Sequence, residues 1–276
     1  MSGAGEGRPA RRLAVLGHPV AHSRSPAMQN AALADLGLGE TWRYEAIDVA
    51  PDRFEELVRG MEGVGFAGAN VTVPHKEAAL ALADEATPAA RAIGAANTLT
   101  FAAGSIRADN TDAPGLIDAL PQGPAGARAL LLGAGGAARA VLWALAGAGA
   151  EVTVWNRTRS RAEALAAELG GAVAAEGAPL DGPGFDLIVN SSAAGLGDGD
   201  GLAELPLDAG SFRPGQVVVD MVYGRTEGTL IRAAREAGAE TVDGLEILVR
   251  QGARSLAGWT GREPSLDVMR AAARGG

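Results

Sequence analysis

Residues 129–138 read ALLLGAGGAA, an apolar run that turns through Gly133, Gly135 and Gly136 into a helix-forming stretch. Glycines at such a turn let the chain bend sharply and bring its backbone close to a pyrophosphate. The N–H groups and positive dipole end of the following helix then face the phosphates. A lone G-x-G-x-x-A string is weak evidence. Here a strand precedes it, a helix follows it and a second strand is expected over 151–155, which is the setting of a dinucleotide site. Asn156 ends that second strand, 23 positions after Gly133 and close to the usual spacing of about 20. NAD sites commonly place a carboxylate there for the ribose 2′-hydroxyl. This chain instead reads Asn156-Arg157-Thr158-Arg159, with Arg161 beyond. Guanidinium groups match phosphate oxygens in a forked geometry, so the stretch points to the 2′-phosphate of NADP. The alternative is that these arginines simply solvate a helix start.

Other polar residues sit where a small ligand could be held. Residues 17–30 read GHPVAHSRSPAMQN, with Ser23 and Ser25 flanking Arg24 and Pro26 suited to a first helical turn. One serine there suffices as an N-cap; two hydroxyls at a helix N-terminus suit a ligand carboxylate as well. Residues 68–76 read GANVTVPHK, so Lys76 opens a helix, where its charge opposes the helix dipole. A solvated lysine is the alternative. GAANTL (94–99) and DNTD (109–112) add polar groups at strand ends, where clefts form in α/β sheets. The three histidines, His18, His22 and His75, have no metal-ligand spacing, and no metal is expected. His75 neighbours Lys76, but adjacent helical residues point apart, so a structural role is assigned to it.

These residues need elements to position them. Strands are expected over 12–17, 42–49, 67–73, 98–101, 129–132, 151–155, 186–190, 217–222 and 240–243. Helices are expected over 25–36, 52–62, 76–84, 87–93, 112–119, 136–148, 160–169, 228–237, 245–257 and 265–273. Such alternation implies an α/β fold with mostly parallel sheets covered on both faces. The length of 276 residues suits two domains. PQGPAGA (121–127) is a loop just before the dinucleotide pattern, and EGAPLDGPG (176–184) is a surface connection within it. Residues 1–11 read as a disordered leader. With no cysteine there is neither a disulfide framework nor a thiolate metal site, and a cytoplasmic protein is expected. The net charge of −9 argues against nucleic acid and anionic membranes as partners, and no apolar run reaches the roughly 18 residues of a membrane span.

Taken together, the motifs HSRSP (22–26), NVTVPHK (70–76), GAANTL, DNTD, GAGGAA (133–138), NRT (156–158), NSSAAGL (190–196), DMVY (220–223) and DGLEILVRQG (243–252) resemble those of the shikimate dehydrogenase family, in family order and over about residues 12–270. The resemblance implies hydride transfer between NADP and a small cyclohexene acid, reducing 3-dehydroshikimate to shikimate. It implies a mixed-sheet substrate domain from 1–108 plus 245–276, a Rossmann-type NADP domain over 109–244, and an active-site cleft between them. A homodimer is compatible with it.

Roles carry over residue by residue as implications of that resemblance. Lys76 and Asp112 are the catalytic pair, Lys76 serving as proton donor and Asp112 orienting it. Ser23, Ser25 and Tyr223 hold the substrate carboxylate; Thr72, Asn97 and Gln251 bind ring hydroxyls. Gly133, Ala134, Gly135, Gly136, Ala137, Asn156, Arg157, Thr158 and Arg161 form the phosphate and ribose site. Met221 and Gly244 lie beside the nicotinamide. The chain departs from the family pattern at Gln29, often His, at Arg225, usually Pro, and at Glu246-Ile247, commonly Gly-Met. Alternatives within the family are oxidation of quinate, often with NAD, or of amino-substituted analogues; an inactive dinucleotide-binding regulator is the alternative outside it.

Overall fold

The computed structural model describes residues 11–176, 180–196, 199–224 and 227–275. The leader up to residue 10, Arg225 and part of the 176–184 connection lie outside the described residues. The chain forms two compact units: Met1–Arg91, Ala95–Thr111 and Gly252–Gly276 make one, and Ala92–Gly94 with Asp112–Gln251 make the other.

Chain order begins with β1 (Arg11–Gly17), α1 (Ser25–Asp35), β2 (Trp42–Asp48), α2 (Phe54–Gly60), β3 (Phe66–Val71), α3 (Lys76–Leu82), β4 (Glu85–Ala86), α4 (Pro88–Ile93), β5 (Thr98–Ala102) and β6 (Ser105–Asp109). The first unit's sheet has the order β2-β1-β3-β5-β6-β4. β1 runs parallel to β2 and β3, whereas β5 is antiparallel to β3 and β6, so the sheet is mixed. β1 is buried from Leu13 to Gly17, as befits a strand covered on both faces. In β2, Trp42 and Tyr44 are buried while the residue between them faces out, the alternation of an edge strand. Leu16, Phe54, Met61, Ala69 and Leu99 belong to the core between sheet and helices.

β4 and β6, like a short strand at Ala172–Val173, go beyond the strands read from sequence. β5 and β6 pair Ala102 with Ser105 across a two-residue turn. Ala103 (φ 53°) and Gly104 (φ 78°) both adopt positive φ, the geometry of a type I′ hairpin. That turn usually announces itself as Asn-Gly; Ala-Gly carries no such signal, because alanine meets a steric cost in the left-handed region.

The second unit continues with α5 (Asp112–Ala119), β7 (Arg128–Leu132), α6 (Gly136–Gly147), β8 (Glu151–Trp155), α7 (Arg159–Leu169), β9 (Ala172–Val173), β10 (Leu187–Asn190), β11 (Val217–Asp220), α8 (Thr229–Glu236) and β12 (Glu240–Val242). All its strand pairings are parallel, in the order β12-β11-β10-β7-β8-β9. Counted from β7 this is the doubly wound order 3-2-1-4-5-6, whose winding reverses between β7 and β10. β10 and β11 are buried at every residue, and β7 at all but its first. α6 packs Ala138, Val141, Leu142 and Leu145 into the core beside them.

α9 (Gly244–Thr260) begins in the second unit and ends in the first; α10 (Leu266–Gly275) packs against α1. The main stretch of the second unit runs from Asp112 to Gln251. α9 is continuous, and its early and late turns pack into different cores: Ile247 joins the core of the second unit, while Trp259 donates its indole N–H to the Leu99 carbonyl over 3.0 Å. No described helix is long and apolar enough to cross a membrane.

Candidate active site

In the second unit, strand register places Leu132, Trp155, Asn190 and Asp220 at one level. The residues that follow them, Gly133, Asn156, Ser191 and Met221, therefore leave the sheet along a single carboxyl edge. Gly133 has φ 118° and is buried. A Cβ there would lie 2.8 Å from Ser191 Oγ and 3.0 Å from Ser192 N, so only glycine fits where β7 and β10 diverge. Ser191 is itself fixed, its hydroxyl donating to the Leu132 carbonyl over 3.0 Å. Gly135 differs: it is exposed at the N-cap of α6, with no side-chain cap, and a Cβ on it would meet nothing within 4 Å. Ala134, Gly136 and Ala137 lie half-buried around it.

At the end of β8 the Asn156 amide donates to the Thr158 carbonyl over 2.9 Å, and Thr158 is the uncapped N-cap of α7. The three arginines divide. Arg159 donates to Glu163 and to the Ala174 carbonyl, each over 2.8 Å, so the fold itself uses it. Arg157 and Arg161 are exposed and pair with nothing among the described residues.

The end of β11 is held by a buried pair that the sequence reading passed over. Asp220 Oδ1 accepts from the Asn190 amide over 2.9 Å and from the Val222 N–H over 3.0 Å. The Met221 N–H donates to the Asn190 carbonyl over 2.8 Å. Burial pushes the Asp220 carboxyl up from 3.8 to about 6, the two hydrogen bonds opposing the shift without cancelling it. A Cβ on Gly244 would stand 2.7 Å from the carbonyl oxygens of both Met221 and Val222. The structure thus brings Met221 and Gly244 together, and glycine is what permits it. Tyr223 follows, half-buried.

Two departures from the family pattern find their place here. Ile247 is buried in the core of the second unit, with Met221 packed against the same cluster. Glu246 accepts from Arg250 over 2.8 Å, one turn along α9, which answers its charge within the helix. Asp112 opens α5 and is buried; Gln251 lies on α9 with its amide donating to the Leu248 carbonyl over 2.9 Å. The two helices approach closely, since a Cβ on Gly115 would be 2.9 Å from Gln251 Cβ.

In the first unit, α1 has Arg24 as N-cap and no side-chain cap; Ser23 Oγ accepts the Ser25 N–H at a long 3.3 Å. Neither serine makes a strong capping bond, so the capping alternative explains only part of the pair. Thr72 and Lys76 bracket the turn after β3, tied by Thr72 N–H to the Leu16 carbonyl and by His75 N–H to the Thr72 carbonyl, at 2.8 and 2.9 Å. Lys76 is half-buried, and its carbonyl accepts from Ala96 N–H over 2.8 Å, which brings the Asn97 loop beside it. His75 is a core residue: it stacks on Phe54 at 4.3 Å, and its Nε2 donates to the Val49 carbonyl over 2.8 Å. The partner is a carbonyl, so Nε2 must carry the hydrogen. Gln29, fully buried, donates to the Gly252 carbonyl over 3.0 Å.

Asn97 is buried, its Oδ1 accepting the Thr111 N–H over 2.7 Å and its Nδ2 donating to Thr111 Oγ1 over 2.9 Å. Lys76, Thr72, Asn97 and both serines thus belong to the first unit, and Asp112, Tyr223, Gln251 and all the cofactor candidates to the second. Among the described residues no three His, Asp or Glu side chains gather as a metal site.

The chain is similar to known proteins in sequence and fold. Residues 15–99 match the model of the shikimate dehydrogenase substrate binding domain, 119–182 that of shikimate / quinate 5-dehydrogenase, and 244–274 that of the shikimate 5′-dehydrogenase C-terminal domain. The chain is 47% identical over 270 residues to shikimate dehydrogenase (NADP(+)) of Anaeromyxobacter dehalogenans, covering 93% of this chain and 94% of the relative. A crystal structure of shikimate 5-dehydrogenase from Thermus thermophilus in complex with NADP(H) and shikimate is similar at TM-score 0.86 and 42% identity, over 96% of this chain and 98% of that one. The ligand-free 5-ketofructose reductase of a Gluconobacter strain is similar at TM-score 0.86 and 33% identity, over 98% of this chain and 99% of that one.

Proposed function

The chain belongs to the shikimate dehydrogenase family, and from that membership and the geometry of its two units we propose that it reduces 3-dehydroshikimate to shikimate with NADP, reversibly, for aromatic amino-acid biosynthesis. The observation that carries the reading is the carboxyl edge of the parallel sheet, from which Gly133, Asn156, Ser191 and Met221 all depart at one level. Ligands of doubly wound sheets bind at such an edge, where the winding reverses.

The residues present fit NADP. Nothing in the protein crowds Gly135 at the N-cap of α6, which leaves its backbone open to the close approach of a pyrophosphate. The backbone of Gly133, Ala134, Gly135, Gly136 and Ala137 would hold the pyrophosphate, and Asn156, Arg157, Thr158 and Arg161 the ribose and its 2′-phosphate. Met221 and Gly244 would flank the nicotinamide. In its reduced form, NADPH, the cofactor would supply the hydride to the ketone, and in the reverse direction NADP+ would take it back.

The chain's own residues manage the rest. As the ketone is reduced its oxygen gains negative charge, and Lys76 donates a proton to that oxygen from Nζ. A positioned acid of this kind is worth about 10²–10⁴-fold. Asp112 orients the ammonium and accepts from a ring hydroxyl. Ser23, Ser25 and Tyr223 take the carboxylate; Thr72, Asn97 and Gln251 take the remaining hydroxyls. Substrate binding is assigned mainly to residues 1–108 with 245–276, Asp112 and Tyr223 being contributed from 109–244, and NADP binding to 109–244. The net charge of −9 supports dissolved small molecules as the ligands rather than nucleic acid or a membrane surface, and the absence of cysteine fits a cytoplasmic site of action.

Reduced-nicotinamide absorbance with shikimate and NADP tests the proposal, with quinate and NAD as parallel arms of the oxidation and a keto sugar with NADPH as the arm run in reduction. Fastest turnover is expected for shikimate with NADP. Faster turnover of any other pair would overturn the assignment.

A further inference from the structure

The first unit carries a chain of buried amides and hydroxyls that the roles above leave unused. Tyr44 Oη donates to Asn70 Oδ1 over 2.8 Å. Asn70 Nδ2 donates to Ser255 Oγ over 2.9 Å and lies 3.2 Å from both the Asn97 carbonyl and Thr98 Oγ1. Ser255 Oγ is also 2.9 Å from Thr98 Oγ1 and 3.1 Å from Thr111 Oγ1. All five side chains are buried, as is Asn97, and Ser255 is 1% exposed. Ser255 is thus the point at which β3, β5 and the stretch leading to Asp112 meet α9.

Groups that can only donate or only accept settle the orientations. The Asn97 carbonyl only accepts, so Asn70 turns its Nδ2 that way and offers Oδ1 to Tyr44. The Thr111 N–H only donates, so Asn97 turns Oδ1 towards it and Nδ2 towards Thr111 Oγ1. With Oδ1 turned to the Thr111 N–H, the Nδ2 side of Asn97 meets a ring hydroxyl as a donor. That orientation is held by Thr111 and by Thr98 Oγ1, 3.0 Å from Asn97 Oδ1, and both hydroxyls are seated against Ser255.

We infer that Ser255 is a positioning residue for substrate recognition: buried between Asn70, Thr98 and Thr111, its hydroxyl fixes the amide of Asn97 in the orientation that recognises a substrate hydroxyl. The inference rests on the assignment of Asn97 to the substrate made above. Satisfied networks of this kind specify one arrangement, and removing one member leaves its partners to reorganise.

The test is steady-state kinetics of Ser255→Ala, alone and on an Asn97→Ala background. One hydrogen bond is worth about 2- to 10-fold in an equilibrium, so the KM for shikimate should rise about that much. The KM for NADP should stay within about 2-fold, the change being confined to the other ligand. On the Asn97→Ala background, Ser255→Ala should change the shikimate KM no further, because the group it positions is gone. Ser255→Thr, which keeps the hydroxyl, should restore the native KM. If Ser255→Ala does not fold, Ser255→Cys, close in volume with a weak donor, takes its place. Unchanged kinetics, equal effects on both KM values, or full additivity with Asn97→Ala would each overturn the inference. Absence of turnover in the unaltered protein would instead overturn the proposed reaction, and this inference with it.

Discussion

Asn190 and Asp220 stand opposite one another in register at the ends of β10 and β11, and the Asn190 amide donates to the Asp220 carboxyl over 2.9 Å. One carboxyl oxygen, Oδ1, takes this bond and the Val222 N–H, so an amide in the same place could accept both. Burial raises the folded-state pKa from 3.8 to about 6. A carboxyl raised in this way contributes its full stability below pH 3.8 and loses it as pH climbs through about 6, after which the loss is constant. Asp220→Asn should therefore gain on the native protein by about 2–3 kcal/mol between pH 4 and 6 in urea unfolding. Parallel stability curves across that window would show that the carboxyl is not desolvated as described.

Lys76 and Asp112 are assigned as a unit, and their substitutions should show it. Lys76→Ala should lose about 10²-fold or more in kcat with both KM values little changed, since the proton transfer belongs to the transition state. Asp112→Asn should also slow turnover, and the double variant should be little worse than the worse single one. A folded Lys76→Ala protein with near-native kcat would remove Lys76 from the reaction. His75 is no substitute, being committed to Val49 and Phe54.

The arginines at the end of β8 are separable by experiment. Arg157→Ala should raise the KM for NADP about 10-fold or more and leave that for NAD within about 2-fold, as befits a charge-assisted bond to the 2′-phosphate. Arg159→Ala should act mainly on stability, because its partners are Glu163 and Ala174. Equal loss with both cofactors in Arg157→Ala would return that residue to mere solvation of α7.

Ser23 and Ser25 offer a similar choice. If they hold the carboxylate, Ser23→Ala with Ser25→Ala should raise the shikimate KM far more than the NADP KM, by about 10-fold or more for two bonds to a charged group. If they are helix caps, the double variant should lose about 1 kcal/mol of stability with unaltered kinetics. The long 3.3 Å bond at Ser23 favours the first outcome.

Much of this is legible in the residues alone, for physical reasons. The apolar runs of β7, β10 and β11 announce strands buried on both faces, and the glycines of 133–136 announce the turn after the first of them. β6 is harder, because Ser105–Asp109 alternates over only five residues and its turn uses Ala103 in place of Asn. The seam at Gly252 leaves no mark in sequence, since α9 is one unbroken helix whose two ends serve different cores. Ser255 and Asn70 are invisible for another reason. Their partners lie up to 185 positions away, and a serine in an amphipathic helix looks the same whether it faces water or a buried amide.

The placement of Gly252–Gly276 in the first unit also bears on how the chain is made. Leu99 waits for Trp259, Gln29 for Gly252 and Asn70 for Ser255, separations of 160, 223 and 185 positions. The stretch from Asp112 to Gln251 leaves the ribosome with nearly all of its unit's partners already synthesised. The amino-terminal unit emerges first yet completes its core last, reversing the usual vectorial order of domain folding. During translation, the face of its sheet over β3 and β5 stays uncovered for the time taken to add about 150 residues, on the order of 10 seconds at normal elongation rates.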